Sequence, residues 1–161
     1  MKIIEQLNLE FSEIVARVSK SVVSISGRRT VASGIAWTTD LIIAPAHSLH
    51  RGAEYELITS DGETLAATVA GRDPSVDIAI LKSKTSLPEV EKSLNEPLQS
   101  GELAISLGRA RGGRLLSVLT MLSISDTAYR NWRGGTFDRF IRLDIFPFPG
   151  FSGSALVLAN G

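Results

Sequence analysis

Leu41-Ile42-Ile43-Ala44-Pro45-Ala46-His47 is a short apolar run that closes on a proline, an alanine and one of only 2 histidines in the chain. It reads as a strand whose rigid end holds an imidazole at a surface cleft. Runs of the same kind lie on both sides. Upstream come Val22-Val23-Ser24-Ile25-Ser26, closed by Gly27, and Ser33-Gly34-Ile35-Ala36-Trp37. Downstream, Glu54 to Ser60 alternates, Asp61-Gly62 marks a two-residue hairpin turn, and Glu63 to Val69 returns. Ile78-Ala79-Ile80-Leu81 brings the count to about six strands, at the spacing of an all-β barrel or sandwich.

The interval 83–101, with Pro88, Pro97 and Gly101, reads as a long connection. A second strand set follows it: Leu103 to Leu107, Leu115 to Ser123, Phe140 to Ile145 and Ala155 to Leu158. Ahead of both sets, Ile3, Ile4, Leu7, Phe11, Ile14, Val15 and Val18 recur at spacings of three and four, which puts one apolar stripe on a helix. The expected class is all-β with an N-terminal amphipathic helix. The expected division is a helix in 1–20, a first β unit in 21–85, a connection in 86–100 and a second β unit in 101–161.

Composition narrows the functions. Hydrophobic residues make up 43% and charged residues 21%, so bulk disorder is excluded. Lys plus Arg and Asp plus Glu are 17 each, so the basic excess of a dedicated nucleic-acid binder is missing. The absence of cysteine rules out disulfide scaffolds, thiolate metal sites and cysteine nucleophiles. Two histidines three apart, with no carboxylate close by in the same element, do not make a zinc site, and neither metal nor cofactor is expected. No apolar run reaches the length of a membrane-spanning helix, and Met1 to Glu5 lacks a signal peptide's apolar stretch. As written the chain reads as cytoplasmic. It reads as periplasmic or extracellular if a targeting segment has been removed.

Three side chains carry chemistry if they meet. His47 closes its strand, whereas His50 lies in the polar turn Ser48-Leu49-His50-Arg51-Gly52. Asp77 opens the run Ile78 to Leu81, where a carboxylate must find a donor. Asp73, followed by Pro74, fits a turn-starting role instead. Ser152 sits in Pro149-Gly150-Phe151-Ser152-Gly153-Ser154-Ala155, where flanking glycines let the chain turn sharply and present a hydroxyl. The N–H groups of Gly150 and Ser152 can converge there on one oxygen, as an oxyanion hole does. The order His, Asp, Ser is that of chymotrypsin-like double barrels, and it differs from the subtilisin and α/β-hydrolase orders. A hydroxyl, a base to take its proton and a carboxylate to fix the base's tautomer are the parts acyl transfer needs.

On these residues the chain resembles the protease domain of the HtrA/DegP-like branch of trypsin-like serine endopeptidases. The resemblance runs through Val18 to Ile25, Ala32-Ser33-Gly34-Ile35, Ile42 to His47, Ser60-Asp61-Gly62-Glu63, Gly71 to Lys82, Ser100-Gly101-Glu102 and Pro149 to Gly153. It implies a two-barrel fold, His47 as general base, Asp77 as its orienter, Ser152 as nucleophile and an oxyanion hole from the Gly150 and Ser152 amides. It also implies polypeptide substrates, unfolded or flexible, and a homotrimer. The chain departs from the family at Phe151, Ser154 and Phe146-Pro147-Phe148, where smaller residues are usual. Phe146 and Phe148 are therefore candidates for lining a shallow, apolar specificity pocket. The alternative is a catalytically silent trypsin-like domain that binds or senses proteins, and a third is a structural β domain in which the three residues lie apart.

Two loops stay outside this scheme. Gly108-Arg109-Ala110-Arg111-Gly112-Gly113-Arg114 reads as a solvated hairpin turn. Tyr129-Arg130-Asn131-Trp132-Arg133-Gly134-Gly135 reads either as a partner contact or as an anchor for a long loop. Finally, Asn160-Gly161 signals a returning strand. The family's second barrel has further strands after its serine, and a PDZ domain often follows. The second barrel is therefore expected to lack its C-terminal strands, with an open edge near 155–158, and no PDZ domain is expected within the chain.

Overall fold

The computed structural model describes residues 2–26, 30–50, 52, 54–92, 97–146 and 148–159; Gly27 and the Asn160-Gly161 turn lie outside the described residues. The apolar stripe forms helix α1 (Ile3–Val18), with the Glu5 carboxylate accepting the Lys2 N–H at its start, 3.1 Å away. Only the second half of the stripe is covered. Ile14 and Val18 are buried, while Ile3, Ile4 and Leu7 are exposed.

Six strands then close a barrel: β1 (Val22–Ser26), β2 (Val31–Ala36), β3 (Leu41–Pro45), β4 (Glu54–Ile58), β5 (Thr64–Asp73) and β6 (Ile78–Ser83). Their order is β1-β2-β3-β6-β5-β4, all pairs antiparallel. Alternation fills the interior with Val23, Ile25, Ile42, Ala44, Leu57, Ala67, Ala79 and Leu81. The turn between β4 and β5 is longer than the two residues expected. Thr59 and Glu63 bracket it, with the Thr59 N–H donating to the Glu63 carbonyl at 3.0 Å.

The second half contributes β7 (Leu103–Arg109), β8 (Leu115–Asp126), β9 (Tyr129–Arg130), β10 (Thr136–Phe137), β11 (Phe140–Leu143) and β12 (Ala155–Leu158). Four of them form a sheet in the order β11-β8-β7-β12, while β9 and β10 pair only with each other. Among the described residues this sheet is open, with β11 and β12 at its edges.

Strand β1 joins the two halves because its two faces serve different cores. Val23 and Ile25 point into the barrel, while Val22 packs with Ile14 and Val18 of α1, Ile105 and Leu107 of β7, and Ala155 of β12. The Ser24 hydroxyl donates to the Ala110 carbonyl at 3.1 Å. Arg109 completes the seam, and here the reading of 108–114 as a solvated turn needs correction. Arg111 and Arg114 are exposed, but Arg109 is 4% exposed. Its guanidinium donates to the carbonyls of Val22 (2.5 Å), Gly113 (2.6 Å) and Ser19 (2.8 Å). Burial pushes this guanidinium below its ordinary pKa, with the Asp61 charge opposing the shift. Its donors tie the start of β1 to the turn that follows β7.

Candidate active site

The ladder between β3 and β6 explains why residues thirty apart in sequence meet. Pro45 pairs with Ile78, so the turn after β3 and the residue before β6 are neighbours. His47 lies in a 3-10 turn, Ala46–Ser48, that follows β3 directly. Asp77 holds that turn at three points. Its carbonyl accepts the Ala46 N–H at 3.0 Å, its Oδ1 accepts the His47 N–H at 2.8 Å, and its Oδ2 lies 2.5 Å from His47 Nδ1. A carboxylate only accepts, so Nδ1 carries a proton, and in the neutral ring it is Nε2 that presents the lone pair. Both side chains remain open to solvent, at 54% and 40% exposure.

Asp77 adopts φ 58°, the only positive φ outside glycine among the described residues. Aspartate tolerates this region better than most residues, yet it still costs free energy. The bonds to Ala46 and His47 hold it there. Asp73, as expected from its proline, organises the preceding turn: its Oδ1 accepts the Ser75 N–H (2.9 Å) and the Ser75 hydroxyl (2.6 Å). The Ser75 hydroxyl, then its N–H, hold the Asp73 carboxyl below its ordinary pKa. This contribution to the turn is present above the ordinary carboxylate range and is lost as pH falls through the lowered value.

Ser152 sits in a tight turn closed by the Ser154 N–H donating to the Phe151 carbonyl at 3.0 Å, with Gly153 at φ 80°. Glycine is required at 153 on two counts. Its φ is left-handed, and a Cβ there would overlap the Ser33 carbonyl and the Pro45 ring. That close approach seats the Ser152 turn against Pro45, two residues before His47. Ser152 is exposed, and its hydroxyl makes no hydrogen bond to another described residue, the His47 ring included. Pro149-Gly150 forms the preceding turn, in which the Phe151 N–H donates to the Phe148 carbonyl at 3.0 Å and Gly150 takes φ 104°. The Gly150 and Ser152 N–H groups donate to no other described residue. Phe151 points inward and is 8% exposed, whereas Phe146 and Phe148 stand out at 77% and 52%. The Phe148 ring lies 5.9 Å from that of Phe146 and 6.0 Å from that of Phe151.

Ser33 of β2 binds this loop to the barrel, a role the sequence did not reveal. Its N–H donates to the Ser152 carbonyl (2.8 Å), its hydroxyl donates to the Gly150 carbonyl (2.7 Å), and the same hydroxyl accepts the Arg109 N–H (2.7 Å). Ser33 is fully buried. Ser33→Ala strands the Gly150 carbonyl and the Arg109 amide, so a loss of about 1–3 kcal/mol is expected in denaturant unfolding. A midpoint within error of the unsubstituted chain would show that these bonds do not hold the loop.

The trypsin-like peptidase domain family matches residues 32–161. The putative serine protease HhoB of Synechocystis sp. is 32% identical over 124 residues, 74% of this chain and 29% of that protein. The probable periplasmic serine endoprotease DegP-like of Chlamydia pneumoniae is 30% identical over 121 residues, 74% of this chain and 24% of that protein. The chain thus spans between 24% and 29% of the length of these relatives. Among solved structures, the inactive form of the Rv3671c protease of M. tuberculosis superposes with a TM-score of 0.76 at 27% identity, covering 95% of this chain and 79% of that one.

Proposed function

The chain belongs to the trypsin-like peptidase family, and from that premise we propose that it is a serine endopeptidase acting through His47, Asp77 and Ser152. The observation that carries the reading is the paired hold of Asp77 on His47, through the main-chain N–H at 2.8 Å and the ring nitrogen at 2.5 Å. That pairing leaves Nε2 as the base. Ser152 attacks the scissile carbonyl as His47 takes its proton, and His47 then protonates the leaving amine. Water repeats the sequence to release the acyl group. Asp77 keeps the ring in the productive tautomer and stabilises its cation.

The oxyanion of each tetrahedral intermediate is assigned to the Gly150 and Ser152 N–H groups, neither of which donates to another described residue, on a loop that Ser33 holds. Gly150→Ala is the matching prediction. A side chain at φ 104° and against the Arg109 carbonyl turns this amide away. Losing one such donor lowers kcat by about 10²–10³-fold. The check is kcat at saturating peptide, beside an unfolding curve that shows the variant still folded. An unchanged kcat in a folded variant would remove Gly150 from the site.

Substrates are assigned as unfolded or flexible polypeptides with an apolar side chain at the cleaved position. The site lies at the surface, and the neighbouring Phe146 and Phe148 rings offer apolar contact without a charge. The second reading, a catalytically silent binding module, draws on the missing hydrogen bond between Ser152 and His47. Such bonds often form only in the substrate complex. Incubation with a permanently unfolded protein separates the two readings. Fragments cut after apolar residues support the peptidase, and an unfolded protein that is retained but left intact supports the silent module.

A further inference from the structure

The hairpin β9–β10 is tied to the turn that carries Asp77, across the boundary between the two halves. Both polar atoms of the Asn131 side chain are engaged. Its Oδ1 accepts the N–H groups of Arg133 (3.0 Å) and Gly135 (2.9 Å), which folds the hairpin's own loop. Its Nδ2 donates to the Ser75 carbonyl at 2.7 Å. Gly135 is buried, and its Cα lies so close to the Ser75 carbonyl and the Val76 side chain that any Cβ would overlap them. The base of the hairpin is equally fixed: Tyr129 stacks on Phe137 with centroids 4.9 Å apart and meets Phe140 edge-on at 5.2 Å. The tip is not part of the contact, and Trp132 is 88% exposed.

Ser75 stands two residues before Asp77, whose left-handed backbone needs support from both sides. The side facing His47 is held by Ala46 and His47. The other side is held by Asp73 within the turn and by Asn131 from outside it. We propose that Asn131 is a positioning residue for the His47–Asp77 pair, acting through the Ser75 carbonyl, an inference that rests on the peptidase reading for its consequence in catalysis. Releasing Ser75 lets the Asp77 carboxylate drift from Nδ1, and a shift of this kind at a triad costs about 10- to 100-fold in rate.

Asn131→Asp is the discriminating variant. It keeps the oxygen that folds the hairpin loop and replaces the donor to Ser75 with a second acceptor. The expected result is a kcat lower by about 10- to 100-fold with KM within about twofold, and unchanged kinetics in the tip variant Trp132→Ala. A second readout does not depend on activity: the low-field NMR resonance of the His47 Nδ1 proton, followed in a His50→Asn background. It should shift or broaden in Asn131→Asp and stay in place in Trp132→Ala. An unmoved resonance overturns the proposal, whatever kcat does. If the unsubstituted chain cuts no peptide, the peptidase reading fails while the resonance still decides the role of Asn131.

Discussion

Ser152→Ala is expected to lower kcat for peptide hydrolysis by about 10⁶-fold, the largest effect of any single substitution in this chain. In the proposed mechanism the hydroxyl oxygen is the atom that bonds to the substrate, so nothing else in the loop substitutes for it. Without it, the proposed oxyanion hole and the binding surface should still favour attack by water, leaving about 10³–10⁴-fold over the uncatalysed reaction. The fold should not notice the change. Ser152 is exposed and its hydroxyl makes no hydrogen bond to a described residue, so stability should stay within about 0.5 kcal/mol. The measurement is a progress curve with an unfolded substrate, paired with a denaturant titration. Activity that survives in a folded variant would move the nucleophile to Ser154, whose hydroxyl lies 2.9 Å from that of Ser106.

Asp77→Asn should come next, with kcat lower by about 10⁴-fold. Asparagine fits the backbone, because it shares the tolerance of aspartate for the φ of 58° found there. Its oxygen can still accept the His47 N–H, as Oδ1 does now at 2.8 Å. Its amide then faces His47 Nδ1 with a donor in place of an acceptor. The ring answers by moving its proton to Nε2, and a protonated Nε2 cannot take a proton from Ser152. Hence the variant should fold and bind peptide while turning over slowly, which kcat and KM measured separately will show. A kcat within tenfold of the unsubstituted chain would mean that Asp77 does not govern the tautomer of His47.

The sequence made much of this legible, for physical reasons that differ by element. Helix α1 was readable because its apolar spacing of three and four has only one regular solution, and the observed span Ile3–Val18 matches it. The barrel strands were readable from β-branched runs cut by turn residues. Ends were less certain, since pairing partners extended β5 to Asp73 and β8 to Asp126 beyond the apolar runs. His47 and Asp77 stand out in the sequence as residue types at strand ends, but their contact depends on the register that sets Pro45 opposite Ile78. Register is a tertiary property, which no local pattern states.

The rest was hidden because burial and long-range partners are not local. Ser33 reads as one more small residue in a strand, and only its burial forces its hydroxyl to bridge Gly150 and Arg109. Arg109 reads as one cation in a basic glycine-rich turn, yet the carbonyls of Ser19, Val22 and Gly113 draw it inside. Asn131 reads with its neighbours as a loop, while its partner Ser75 lies 56 residues away. The strands β9 and β10, two residues each, are too short to leave a periodic signal.

The central claim is that Ser152 is a nucleophile activated by the His47–Asp77 pair. A fluorophosphonate probe reacts with an activated serine and leaves a covalent phosphonyl group on its oxygen. Peptide mapping of the labelled chain by mass spectrometry should place one adduct on Ser152, formed far more slowly in Asp77→Asn and absent in Ser152→Ala. An adduct on Ser154, or labelling of Ser152 at an equal rate in Asp77→Asn, would contradict the account.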